Sequence, residues 1–476
     1  MNTRVAVAVI LLFLLVRTAV AWEPDMRLTN DGGISWTSYT SARCLAAGSG
    51  GGLHAVWFDD RDGNYEIYTK RSTDYGTTWE ADTRLTNNTA DQYHPAVAAA
   101  GTMVHVVWWD ERNVPNTEIY YKRSTDAGVT WSDDTRLTED SAKSHFPSIA
   151  AAGDTVHVVW WDERTGWDIH YKRSTDAGVT WSDDVALTTT LGLSMWPSVA
   201  VSEGSVHVVW FDDRDGNQEI YYKRSTDGGA TWGADARLTN ASFYSEYPVV
   251  AAEWPFVHVA WSDNRDGNYE AYYKRSTDGG ATWEPDTRLS EAAQGSTAMS
   301  LAVAGTRVHL FWADNREWYW PEIFHRSSSD NGLTWDADER LTFDNQPSDR
   351  PTGCTWDSTV AVLWEDGRDG NWEVYFKRDT LDRTGLATVP ASHLGPVACR
   401  VEPNPAAGGF ATSHWAGVDQ KPMQVGIHDA AGRLLVAQQV EHSGGRLDLR
   451  GLAAGVYFVD VSAGGRRASA KLAVRR

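Results

Sequence analysis

Cysteine is scarce: Cys44, Cys354 and Cys399 are the only three in 476 residues, which excludes a disulfide-stapled scaffold and offers no metal-ligand spacing. Basic charge is scarce too. Lysine and arginine total 43 against 64 aspartates and glutamates, a formal net charge of -21, and the arginines stand singly among carboxylates. A phosphate backbone needs clustered cations, so nucleic acid is excluded as a partner. Long apolar runs are missing as well, since nothing reaches the ~20 residues of a membrane span. The one apolar stretch, Val5 to Val16 behind Arg4, leads to Ala19-Val20-Ala21, a small-x-small cleavage pattern. Residues 1–21 therefore read as a secretory signal peptide, and the mature chain is expected to be exported and soluble.

What is abundant is tryptophan, 25 residues of it, and most of it is periodic. Six segments spell a variant of Ser-x-Asp-x-Gly-x-Thr-Trp: STDYGTTW (72–79), STDAGVTW (124–131 and 174–181), STDGGATW (225–232 and 276–283) and SSDNGLTW (328–335). Their tryptophans fall 50 to 52 residues apart, the period of stacked supersecondary units. A second motif, Trp-x-Asp-x-Arg, occurs seven times, at 57–61, 108–112, 160–164, 210–214, 261–265, 312–316 and 364–368. Each copy follows a β-branched run such as VHVVWW (104–109) and precedes another such as EIYYKRS (118–124), with Asp-Gly-Asn joining them in several copies. A small-residue strand lies upstream, as in PSIAAAG (147–153), and a fourth strand downstream, as in WSDDTRLT (131–138). Four antiparallel strands per period make a propeller blade.

The seventh copy lacks a fourth strand. WEPDMRLTN (22–30) matches the fourth strands of other repeats, such as WEADTRLTN (79–87), so the N-terminal strand is expected to complete the last blade and close the ring. The fold class is all-β: a seven-bladed β-propeller over 22–380, a linker over 381–400, and a small Ig-like β-sandwich over 401–476.

The repeated aspartates, Asp74, Asp126, Asp176, Asp227, Asp278 and Asp330, are read as structural, accepting backbone N–H groups across a turn whose glycine takes positive φ. A local hairpin ion pair is likewise the reading for Asp59, Asp110, Asp162, Asp212, Asp263, Asp314 and Asp366 with the arginine two residues on. DRDGNYE (60–66) has alternating oxygen ligands as a calcium loop does, but its Gly-Asn order suits a hairpin, and no metal or cofactor is expected. Cys44 and Cys354 fall on inner strands of neighbouring blades at positions three residues apart, roughly 10 Å of rise, which disfavours a ring-closing disulfide without excluding it.

The boxes and the four-stranded repeat resemble the sialidase-like BNR/Asp-box β-propeller superfamily over residues 22–380. Enzymes of that family use six blades, an arginine triad on the substrate carboxylate, a Tyr and Glu nucleophile pair and an Asp acid/base; the resemblance implies an exo-acting glycosidase of sialidase type as one reading. Here the first inner strand reads Arg43-Cys44-Leu45 where the family has Arg-Ile-Pro, and there are seven blades. The face opposite the boxes is the one such enzymes use. Counting back from each Trp-x-Asp, the residue entering each inner strand on that face is Arg43, His94, Phe146, Trp196, Tyr247, Ala298 and Arg350. The position varies while its surroundings repeat, so it is the candidate ligand-binding rim of the channel. Arg43 and Arg350 are candidates to hold an anionic group, the aromatics to stack a sugar, and Asp91 and Glu246 to act as acid or base. The alternative is that the aromatics plug the channel.

The tail carries Pro-Asn-Pro (403–405), Asp-x-x-Gly-Arg (429–433), Gly455-Val456-Tyr457-Phe458 and a Lys471 to Arg475 ending. It resembles the type IX secretion C-terminal sorting domain, which implies export and a secreted or outer-surface location, with the secretion machinery as a partner. The leading functional expectation is a monomeric surface propeller that binds glycan or protein without catalysis.

Overall fold

In a computed structural model the described residues are 22–379, apart from 39–42, 165, 190–191, 317–319 and 357–358, together with segments of 398–474. The signal-peptide segment and nearly all of the expected linker lie outside them. Two compact units divide at Leu381.

The first unit is a ring of seven antiparallel sheets. Blade two is typical, with an innermost strand Gln92–Ala100, then Met103–Asp110, Glu118–Ser124 and a short outer strand Thr135–Arg136. Blades three to six repeat this order with innermost strands Ser144–Ala152, Ser194–Ser202, Ser245–Glu253 and Ser296–Ala304. Blade seven, Ser348–Trp356, Thr359–Asp366 and Glu373–Arg378, takes its fourth strand from the other end of the propeller sequence: Met26 pairs with Phe376 and Arg27 with Tyr375. The closing strand expected from WEPDMRLTN is thus in place. In blade one the innermost strand is split into Ser35–Trp36 and Leu45–Ala47, both paired with Leu53–Asp59.

One hydrogen-bonded unit recurs in every blade. The tryptophan of each Trp-x-Asp-x-Arg is fully buried, as in Trp108, and its Nε1 donates to the aspartate, 2.9 Å to Asp110 Oδ2. The other carboxylate oxygen accepts from the arginine N and Nε, at 2.9 and 2.8 Å for Asp110 and Arg112. The guanidinium then lies 4.2 Å from the centre of the Tyr120 ring and meets Asp134 from the outer strand at 2.8 Å. In blade seven the outer-strand carboxylate is Asp25, which bridges Arg368 and Lys377 at 2.7 Å each, so the N-terminal strand repeats the same ion pairs.

The six aspartate turns bind neighbouring blades together. Asp126 Oδ1 accepts from Thr130 N at 2.8 Å and from Ser124 Oγ at 2.7 Å. An arginine on the preceding blade donates to a carbonyl within each turn, Arg71 to Ala127 and Arg123 to Ala177, and Arg378 closes the circle by donating to Tyr75. Blade seven has no such turn, and blade six correspondingly has Ser327 where the others have arginine. The glycine is required by contact as well as by conformation. Gly178 has φ 78°, and a Cβ there would stand 1.8 Å from Tyr121 Oη of the preceding blade.

The second unit, the tail, has two antiparallel sheets. One contains Ala398–Glu402, Phe410–Ala416 and Gly445–Asp448; the other orders Leu434–Val440, Met423–His428, Gly455–Ala463 and Arg466–Val474. Ile427, Val459 and Leu472 form part of its buried core. Among the described residues no helix is long and apolar enough to cross a membrane.

Candidate functional site

The innermost strands of blades two to seven share an irregularity. In blade two Tyr93 faces Trp109 and Ala96 faces Val107, so two residues on one strand stand against one on the other, a β-bulge. The same shift recurs in the five blades that follow. The residue at each bulge has positive φ: His94 50°, Phe146 47°, Trp196 57°, Tyr247 53°, Ala298 53° and Arg350 49°. Such a conformation is uncommon for bulky side chains and is held only where the surroundings determine it. A proline follows in five of the six, all but Ala298. Proline lacks the N–H that a ladder would require, so it suits a bulge and was an available sequence signal for this position.

Arg43 does not belong to this set. Ala46 faces His54 as Ala98 faces His105, which puts Arg43 at the place of Pro95, one residue beyond His94. The displacement comes from the turn at Ser49–Gly51, which leaves one more residue between the two strands than the other blades have. Arg43 lines the central channel, a space of about 230 Å³ walled mostly by small aliphatic residues of the first six innermost strands and by Gly353, Cys354 and Thr355 of the seventh. Its Nη2 donates to the Val250 carbonyl of blade five at 2.8 Å, and burial lowers its pKa. Arg43 and Arg350 are therefore not brought together as one anion clamp. Cys44 and Cys354 are both buried free thiols.

Above the channel is a cavity of about 460 Å³ lined by Phe146, Trp196, Tyr247, Thr297, Ala298, Asp349 and Arg350. Three aromatics come from blades three to five, two small residues from blade six and an ion pair's worth of charge from blade seven. The aromatics are in mutual contact, with Phe146 and Trp196 centroids 4.1 Å apart and Trp196 and Tyr247 5.2 Å apart. His94 continues the arc at 4.6 Å from Phe146 but is itself buried. Burial and the nearby Arg350 charge bring its pKa down to about 3, so it is neutral.

Arg350 is positioned by residues that repeat reasoning overlooked. Its Nη1 is 3.2 Å from Glu365 Oε1, and its guanidinium carbon lies 5.1 Å from the Trp36 ring centre. Glu365 is buried and accepts from Thr37 N at 3.1 Å and Thr37 Oγ1 at 3.2 Å. Burial pushes its pKa up to about 8 against the pull of Arg350. Glu365 occupies the middle place of Trp-x-Asp, where the other six copies have Phe58, Trp109, Trp161, Phe211, Ser262 and Ala313. That departure was the signal for it.

The two candidate acids are engaged elsewhere. Asp91 accepts from Tyr65 N at 2.8 Å and from Tyr93 Oη at 3.1 Å. Glu246 is buried and accepts a hydrogen bond from the Tyr269 hydroxyl; burial raises its pKa and that bond opposes the rise. Neither lines the mouth cavity, whose one carboxylate among the described residues is Asp349. Asp349 Oδ1 accepts from Arg350 N at 2.8 Å. Among the described residues no group of three histidine, cysteine or acidic side chains could hold a metal ion.

With this geometry in hand, comparison with known proteins divides along the two units. Residues 400–475 match the family model described as the secretion system C-terminal sorting domain. The tail is a sorting domain. Such domains mark type IX export, so the protein is secreted or attached to the outer cell surface. No curated protein matches the chain. The propeller ahead of the sorting domain is similar to solved polysaccharide lyases. A PL25 ulvan lyase bound to -[GlcA(1-4)Rha3S]- aligns with TM-score 0.54 and 10% identity, over 74% of this chain and 95% of the lyase. The lyase Uly1 gives 0.53 and 10%, over 76% and 100%. A sialidase from Trypanosoma rangeli gives 0.45 and 11%, over 94% and 88%. At such identities the lyases share the fold with the sorting-domain protein and nothing finer.

Proposed function

We propose that this exported propeller is a non-catalytic binding module that takes an acidic glycan in the mouth cavity. The observation that carries the reading is the lining of that cavity: an arc of Phe146, Trp196 and Tyr247, two small residues, and Arg350. Aromatic faces stack the C–H faces of sugar rings, and the Arg350 guanidinium, held by Glu365, brings a cation to the cavity wall. The volume of about 460 Å³ is within the range of small-ligand sites. Most glycoside hydrolases flank the bond with two carboxyl groups, and those of sialidase type use a Tyr and Glu pair with an Asp acid; among the described residues one carboxylate, Asp349, lines the cavity, while Asp91 and Glu246 are bound to neighbours outside it. A propeller of the same fold holding -[GlcA(1-4)Rha3S]- indicates what the scaffold can carry, not what this chain carries.

One observation favours the second reading, an exo-acting glycosidase of sialidase type. The Tyr269 hydroxyl donates to Glu246, which is the residue pairing such enzymes use for their nucleophile. The deciding experiment puts the mature protein on a glycan array and, in parallel, on fluorogenic sialosides. Retention of acidic glycans that is lost in Trp196→Ala, with no product formed, is the expected outcome. Sialoside turnover that Tyr269→Phe abolishes would establish the enzyme reading instead.

A further inference from the structure

A second depression adjoins the mouth cavity on the same face. It measures about 380 Å³ and lies between blades six and seven, bordered by Trp320, Gln346, Pro347, Gly370 and Trp372 among others. The strand entering blade seven is the shared wall: Gln346 and Pro347 line the outer space, and Asp349 and Arg350 line the inner one. Two residues of extended chain span roughly 7 Å, a separation that neighbouring residues of one glycan chain can bridge. A ring-to-ring path also connects them, because Arg350 lies over Trp36 at 5.1 Å and Trp36 is 4.9 Å from Trp372.

The polar groups beneath this outer cleft are already occupied. Asn371 Nδ2 donates to the Gly33 carbonyl at 2.6 Å, and Arg368 is held by Asp366, Asp25 and Asp344. What remains for a ligand is indole surface, with Trp320 44% exposed, and the bare backbone at Gly370, where a Cβ would meet nothing within 4 Å. That lining suits the apolar face of a pyranose whose hydroxyls stay in water; it offers nothing to a second anionic group. Trp320 also comes from a hairpin that breaks the repeat. In sequence, blade six has the four residues Glu317 to Trp320 after its arginine, where blades one, four, five and seven have the three residues Asp-Gly-Asn.

We infer that the outer cleft is a second sugar subsite, and that the ligand is a polysaccharide chain lying across blade seven instead of a single terminal sugar. The inference rests on the glycan reading of the mouth cavity. It is tested by titration calorimetry of the mature protein with glucuronic acid and with a glucose dimer and tetramer that each end in one glucuronic acid, using wild type, Trp320→Ala and Trp196→Ala. The expected result is affinity that rises with length in the wild type, with Trp320→Ala weakening the tetramer about tenfold and leaving the monomer unchanged. Trp196→Ala should weaken every length. Wild-type affinity independent of length, or a tetramer that binds Trp320→Ala as tightly as wild type, would overturn the second subsite and leave the first intact. Binding of no length by the wild type would overturn both.

Discussion

The junction between blades one and two is the place where the repeat leaves a hole. At four other junctions a third-strand tyrosine fills the interblade space: Tyr121, Tyr171, Tyr222 and Tyr273 are each at most 2% exposed. Each hydroxyl lies 2.6 to 2.7 Å from the Nδ1 of a second-strand histidine, His105, His157, His207 and His258 respectively. Each ring meets the next blade's turn tryptophan edge-on, as Tyr121 meets Trp181 at 4.9 Å. Blade one has Thr69 in that place. His54 is consequently buried with its Nδ1 unpartnered, beside a cavity of about 90 Å³ that Thr69 and Gly128 help to line.

Thr69→Tyr should fill that cavity. Refilling about 90 Å³ at ~24 cal/mol per Å³ gives ~2 kcal/mol. The new bond to His54 contributes ~1 kcal/mol, which offsets the bond now made from Thr69 Oγ1 to the Ala55 carbonyl at 2.9 Å. Ordering the larger side chain costs about 1 kcal/mol. The net expectation is a gain of about 1 kcal/mol, or about one degree in Tm for a propeller of this length. Gly128 already supplies the positive φ, 82°, and the missing Cβ that a tyrosine hydroxyl needs opposite it. Urea unfolding followed by tryptophan fluorescence measures the change, with Tyr121→Thr as the converse, expected to lose ~3 kcal/mol or more. A Thr69→Tyr protein no more stable than wild type would show that the junctions are not equivalent and that the repeat logic fails there.

Three further outcomes follow from the same structure. Burial brings His105, His157 and His207 down to about 4, so their stabilising contribution is present above pH 6.5 and is lost as pH falls toward 4; urea midpoints should drop steeply over that interval, and a flat profile would refute it. Glu365 has the opposite sign. Its raised pKa means stability that is complete below pH 4.5 and lost as pH rises through about 8, so Glu365→Gln should melt above wild type at pH 8 and level with it at pH 5. For ring closure, Asp25→Ala removes the bridge to Arg368 and Lys377 and is expected to cost about 1 to 2 kcal/mol in urea melts. A loss no larger than that of the exposed Asp183→Ala would contradict the closing role.

The same chain shows why fold and site differ in legibility. Blade number and ring closure could be read because seven copies of one hydrogen-bonded unit, each with its buried tryptophan, leave the same residues in the same order; Trp22 to Asn30 could be recognised as a displaced fourth strand on that ground alone. The rim was readable for the converse reason, since in blades two to seven a recurring bulge presents one residue that changes from blade to blade while its neighbours largely repeat. Counting along a repeat breaks down where one turn changes length. A single added residue at Ser49–Gly51 moved Arg43 from the mouth into the channel, where it is bound to Val250. Glu365 shows the other limit: it departs from its six counterparts in a motif whose flanking Trp and Asp do not vary, so a search for identity passes over it. Both cases argue for the same criterion. In a propeller the invariant residues hold neighbouring strands and blades together, and a ligand contacts those that differ between blades; the residues to mutate first are accordingly Trp196, Arg350, Glu365 and Trp320, none of which has the same residue at its place in any other blade.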